Sequence, residues 1–60
     1  MRKEKTVYEV QENTGKRWQA VTYEIYTINE AISIRDDYQK NTPDVNFRVI
    51  KRKIIETIIE

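Results

Sequence analysis

The chain has 60 residues, with 11 Lys/Arg against 10 Asp/Glu for a formal charge of +1, one glycine, one proline, and neither cysteine nor histidine. A length of this order admits a single domain, residues 1–60, which buries only about 60 % of its unfolded surface. Disulfides and most metal sites, the usual staples of small folds, are excluded by composition, so a second subunit is the remaining source of extra burial.

No run approaches the roughly 18 apolar residues of a membrane span. The charged start Met1-Arg2-Lys3-Glu4-Lys5 lacks the apolar stretch of a signal peptide. A cytoplasmic protein away from the membrane is the expectation.

Residues 6–12 are β-branched and aromatic, with Tyr8 and Val10 alternating against Glu9 and Gln11, and they predict a first strand. Asn13-Thr14-Gly15 follows. Gly15 can take the positive φ that a three- to four-residue hairpin loop requires. A second strand is predicted from Arg17 to Tyr26, with Trp18, Ala20 and Val21 as inward candidates and Trp18 as the core anchor of the hairpin. The apolar pattern slips at Ala20-Val21, which points to a bulge.

Thr27-Ile28-Asn29-Glu30 has the form of a capping box, Thr27 at the N-cap and Glu30 three residues on. Ile28, Ala31, Ile32, Ile34 and Tyr38 then fall in an arc of about 160° at roughly 100° per residue, enough to cover one face of a sheet. A helix over 28–40 follows, closed by Asn41 in the left-handed conformation and stopped by Pro43.

Val45, Phe47 and Val49 alternate with Asn46 and Arg48 as a third strand. The isoleucines Ile54, Ile55, Ile58 and Ile59 allow two continuations: a strand running on over 45–59, or a short C-terminal helix from about residue 53. Isoleucine favours the strand, and neither a cap nor a break separates Val49 from Lys53. Such a strand overhangs the hairpin and needs cover from another chain or from the domain's own N-terminal strand. The fold class is therefore α+β, a ββαβ domain with one helix packed on a three-stranded sheet. A 2-1-3 strand order with antiparallel pairing is preferred over a parallel pairing of strands two and three.

The chemistry-bearing residue types are thin. Without His or Cys the usual general acid–base groups and the most reactive nucleophile are missing. The carboxylates Asp36 and Asp37 point about 100° apart on a helix; Glu9 and Glu24 could act as a carboxylate pair only if they lie opposite each other across the hairpin, and equally read as exposed sheet residues paired with lysines. One glycine cannot build a phosphate-cradling loop. No enzyme, cofactor or small-molecule substrate is expected.

Basic residues do concentrate. Arg48, Lys51, Arg52 and Lys53 lie within six positions, Lys16 and Arg17 sit at the hairpin turn, and Tyr23 and Tyr26 offer exposed rings. These eight are the candidate contacts for a partner protein or for DNA or RNA. Ile54, Ile55, Ile58 and Ile59 are the candidate homodimer interface. A non-enzymatic interaction module is the principal reading, with a small nucleic-acid binder and a regulatory homo-oligomer as the alternatives.

The strings Gly15-Lys16-Arg17-Trp18, Thr27-Ile28-Asn29-Glu30-Ala31 and Phe47-Arg48-Val49-Ile50-Lys51-Arg52-Lys53 give most of the chain a resemblance to small proteins encoded by bacteriophages and prophages of Gram-positive bacteria. That resemblance implies an accessory protein that binds and modulates a host protein, and it carries over no function residue by residue. Residues 8–38 are also similar to the arm-type DNA-binding domains of phage integrases. They lack the extra early strand of those domains, and the similarity leaves residues 45–60 unaccounted for.

Overall fold

The computed structural model describes residues 2–59. The element order is β1 (Arg2–Asn13), β2 (Trp18–Ala20), α1 (Ile28–Asn41) and β3 (Phe47–Thr57), the expected ββαβ order. The strands form one open sheet in the order β2-β1-β3, with both pairings antiparallel.

β1 has 12 residues against the seven, 6–12, that its sequence predicted. The difference comes mainly from pairing, because residues 2–5 have little apolar character of their own but lie against β3 from Arg2↔Thr57 to Lys5↔Ile54. The overhang of β3 is thus matched by the chain's own N-terminal strand. The third strand continues through Lys53 and Ile54, and the terminal-helix alternative is excluded.

The second strand is much shorter than the predicted 17–26. Gly15, at φ 99°, turns the loop, supported by the Gly15 N–H donating to Asn13 Oδ1 (2.8 Å) and the Thr14 N–H to the Arg17 carbonyl (3.0 Å). After Ala20 the ladder breaks. The Val21 N–H still donates to the Val10 carbonyl, and pairing resumes where Tyr8 and Ile25 exchange both backbone bonds at 2.7 and 2.9 Å. Between these points β1 has one residue, Glu9, and the returning chain has three, residues 22–24. The bulge expected at Ala20-Val21 therefore lies further on: those two residues are in register on opposite faces, and two extra residues are accommodated within 22–24, where the Thr22 hydroxyl accepts the Val10 N–H at 3.1 Å.

Helix α1 opens as expected, the Thr27 hydroxyl accepting the Glu30 N–H at 3.3 Å. It ends differently. Among the described residues only Gly15 has positive φ, so Asn41 is not a left-handed cap. The helix runs through Asn41, and Thr42, at φ −136° and ψ 72°, donates its N–H to the Tyr38 carbonyl.

Alternation along β1 sorts the side chains. Even-numbered β1 residues face the helix with odd-numbered β3 residues, as in the pair Val10↔Val49. The core is Val10, Ile25 and Ala31, with Tyr8, Val21, Ile34, Phe47 and Val49 packed against it. Tyr38 closes one end, its ring centroid 5.5 Å from that of Phe47. The predicted helical arc is wider than the sheet it covers, so Ile28 (50 %) and Ile32 (38 %) stay exposed.

Trp18 is not the core anchor. The register Asn13↔Trp18 places it on the face turned away from the helix, together with Ala20, which stands opposite Gln11. Of the three inward candidates only Val21 packs on the core.

Truncating the fully buried Val10 to alanine is expected to cost about 2 kcal/mol. Tyr23→Ala, at a side chain 95 % exposed on the bulge, stays within about 0.5 kcal/mol. Urea unfolding followed by circular dichroism measures both.

Candidate functional site

The face of the sheet away from the helix carries a polar chain of contacts across all three strands. Glu9, only 8 % exposed, is its centre. One carboxylate oxygen accepts from Arg52 Nη1 at 2.7 Å and the other from Gln11 Nε2 at 2.8 Å. Gln11 in turn accepts from Arg48 Nε at 2.9 Å. The Arg48 guanidinium carbon lies 4.1 Å from the centre of the Trp18 ring, a close cation–π stack. The hydrogen bond from Gln11 and, after it, the hydrogen bond and charge of Arg52 hold the Glu9 carboxyl below its ordinary range, against the upward push of burial.

A second cluster ties down the bulge. Lys5 Nζ lies 3.6 Å from Glu24, 3.7 Å from Glu56 and 5.9 Å from the centre of the Tyr26 ring. Glu24, followed by Tyr26 and Glu56, raises the Lys5 pKa, with desolvation opposing. Glu9 and Glu24, considered from sequence as a carboxylate pair, thus serve different cations. Asp36 is held by Arg35, 2.8 Å away. Among the described residues there is no group of three or more Asp/Glu side chains that could hold a metal ion.

The candidate basic contacts do not form one patch. Arg48 and Arg52 lie on the open face, bound to Gln11, Trp18 and Glu9. Lys51 and Lys53 lie on the helix face, opposite Tyr8 and Thr6, and Lys53 Nζ is 3.9 Å from Glu4. Lys16 and Arg17 are in the hairpin loop at the other end of the ladder. Tyr23 (95 % exposed) projects from the bulge and Tyr26 (66 %) is beside Lys5. The isoleucines also separate. Ile54 stands opposite Lys5 on the open face, Ile55 opposite Glu4 on the helix face, and Ile58 and Ile59 follow the strand.

What brings part of these residues together is the outer edge of β3. Tyr8 and Val10 direct their backbone groups toward the β2 side, as their bonds to Ile25 and Val21 show. Antiparallel ladders alternate, so Val7, Glu9 and Gln11 bond to β3, and their partners Arg52, Ile50 and Arg48 point back. The odd-numbered β3 residues therefore direct their N–H and C=O groups away from the sheet. At the start of this edge Gln39 of the helix takes the place of a strand, its Nε2 donating to the Val45 carbonyl (2.7 Å) and its Oε1 accepting the Phe47 N–H (3.3 Å). Beyond it, Val49, Lys51, Lys53 and Ile55 have no partner strand among the described residues. Beside the edge, a groove of about 460 Å³ lies between helix and sheet, lined by Tyr8, Ile28, Ile32, Phe47 and Val49 together with Arg35, Arg48 and Lys51.

The even spacing of Glu9 with Gln11 and of Arg48 with Arg52 signals a shared face within each strand, but which strands meet, and in what register, is a tertiary fact. The role of Gln39 has no sequence signal.

No protein-family model, no curated protein and no solved structure matches this chain. Among the described residues no helix is long and apolar enough to cross a membrane.

Two outcomes follow from the open-face network. Glu9 has a folded-state pKa below its unfolded value of about 4.3, so its stabilisation is complete above that pH and is lost as pH falls through the folded value. Urea midpoints measured from about pH 6 down to about pH 2 should fall, and Glu9→Gln should flatten the fall in that window. Arg48→Ala removes the cation over the chain's one tryptophan, so the emission of Trp18 should shift while the far-ultraviolet circular dichroism spectrum is retained.

Proposed function

We propose that this chain is a non-enzymatic protein-interaction module that binds by strand addition, offering the outer edge of β3 to an extended segment of a partner. The observation that carries the reading is the row of outward-directed backbone groups at Val49, Lys51, Lys53 and Ile55. A long edge of this kind is commonly shortened, twisted away or covered in proteins that stay monomeric, since it is a template for further pairing. Among the described residues only its first part is covered, by Gln39. The groove next to it offers apolar contact to side chains on the helix side of an added strand, which gives such binding its specificity. An accessory protein that modulates a host protein, the role implied by the phage-protein resemblance, would act through such an edge.

Nucleic-acid binding through Lys16, Arg17, Arg48, Lys51, Arg52 and Lys53 has less support. Arg48 and Arg52 are engaged within the sheet, and the remaining cations are divided between the helix face and the hairpin loop.

Lys53→Pro tests the reading. Proline is tolerated in an edge strand where the lost N–H points outward, so the spectrum of the folded chain should persist. Capture of partner by the immobilised variant should drop at least tenfold, about 1.4 kcal/mol. Capture undiminished by the proline would refute strand addition along this edge. Fluorescence anisotropy with labelled DNA and RNA should show no binding even at low salt, whereas tight, steeply salt-dependent binding would move the assignment to the nucleic-acid alternative.

A further inference from the structure

The β3 edge carries a charge pattern that selects among its own pairings. Two copies of β3 placed antiparallel about a two-fold axis must set outward-directed residues opposite outward-directed residues, so each arrangement is named by the residue on the axis. With Lys51 or Lys53 on the axis, that lysine faces its own copy. With Arg52 there, two arginines meet and Lys51 faces Lys53 twice. An axis at Ile50 opposes Arg48 to Arg52. Like charges directly opposite destabilise a sheet. An axis at Ile55 avoids this but sets Ile54 against Glu56 and Arg52 against Ile58.

With Ile54 on the axis, no like charges meet between residues 49 and 59, and Lys53 against Ile55 is the one mismatch. Ile54 faces Ile54, Arg52 faces Glu56 twice, Ile50 faces Ile58 twice, and Lys51 faces Thr57. On the helix face, continuing the strand by two residues brings the second copy's Ile59 opposite Val49. Ile59 is 91 % exposed within one chain, and Val49 lines the groove beside α1. This register therefore pairs opposite charges, stacks isoleucine along the open face and aims an exposed isoleucine at the apolar groove, all in one arrangement.

We infer that the partner strand is a second copy of this chain, paired through β3 about a two-fold axis at Ile54 to make a continuous six-stranded sheet. The inference rests on the strand-addition reading and supplies its occupant.

The absence of native cysteine makes the register directly readable. In the full-length Ile54→Cys variant the two thiols face each other at a non-hydrogen-bonded position, with Cβ atoms about 4.5–5.5 Å apart. Mild oxidation should cross-link it at least about tenfold faster than Tyr23→Cys or Ile55→Cys, and adding Lys53→Pro should remove the advantage. In parallel, sedimentation of the unmodified chain should show mass rising from 7.3 kDa toward twice that value as concentration is taken from about 10 to about 500 µM.

A monomer at the top concentration, or cross-linking of Ile54→Cys no faster than Tyr23→Cys, overturns self-pairing. A dimer that cross-links preferentially through Ile55→Cys overturns the register. If self-pairing fails while Lys53→Pro still abolishes capture of another protein, strand addition stands without this occupant. If the proline affects neither, both readings fall.

Discussion

Eleven successive residue pairs join β1 to β3, from Arg2↔Thr57 to Glu12↔Phe47, and most of the remaining structure depends on that ladder. A 60-residue chain without disulfide or histidine has a small core, and among the described residues only two large side chains, Val7 and Val10, are almost fully buried. The ladder compensates by pairing backbone over a length of about 35 Å. It joins segments 35 to 55 residues apart in sequence, so the ends must meet before the loop entropy of the intervening hairpin and helix is offset. Because β1 is central, its alternation decides what every other element meets: even residues meet the helix, odd residues the open face.

Length mismatch then produces the site. Helix α1 has 14 residues and spans about 21 Å at 1.5 Å per residue, well short of the strands beneath it. It covers the sheet around Val10 and Phe47, caps the beginning of the outer edge through Gln39, and leaves the rest of β3 without cover. The molecule is accordingly long and thin, 47 × 26 × 12 Å. In so thin a layer the open face is half of the structure, and it is organised by charge-assisted hydrogen bonds around Glu9 where a second layer of apolar packing would otherwise be needed.

The electrostatics of the third strand take a different meaning in this setting. Read linearly, Arg48 to Lys53 is a basic run. Folded, Arg48 and Arg52 complete a network with Gln11, Glu9 and Trp18, while Lys51 and Lys53 stand on the other face. What remains distinctive is the backbone edge between them, together with cationic side chains that oppose one another in several of the ways it could pair with a copy of itself. Lysines on an edge are a familiar guard against indiscriminate pairing; in the proposed dimer they would also make pairing selective.

The sequence by itself determined the elements whose signals are local: the Gly15 turn, the Thr27 cap, the helix stripe of Ala31 and Ile34, the strand character of Phe47 to Ile55, and, through chain order and alternation, the ββαβ succession, with the 2-1-3 sheet only the preferred of two orders. Each rests on φ preference, capping or periodicity, which act within a few residues. Tertiary structure alone decided the rest. Residues 2–5 became strand because β3 offered them a partner, and the second strand broke after Val21 because a two-residue bulge was needed to bring Ile25 back onto the core. Trp18 went to the open face because register outweighed its apolar area once Arg48 could stack on it. The candidate site is the least legible part, since an exposed edge is a property of strand order and helix length. Which backbone groups are left outward, and that Gln39 covers only the first of them, follows from the assembled sheet, where hydrogen-bond direction is fixed by the neighbouring strand and not by the residue's own side chain.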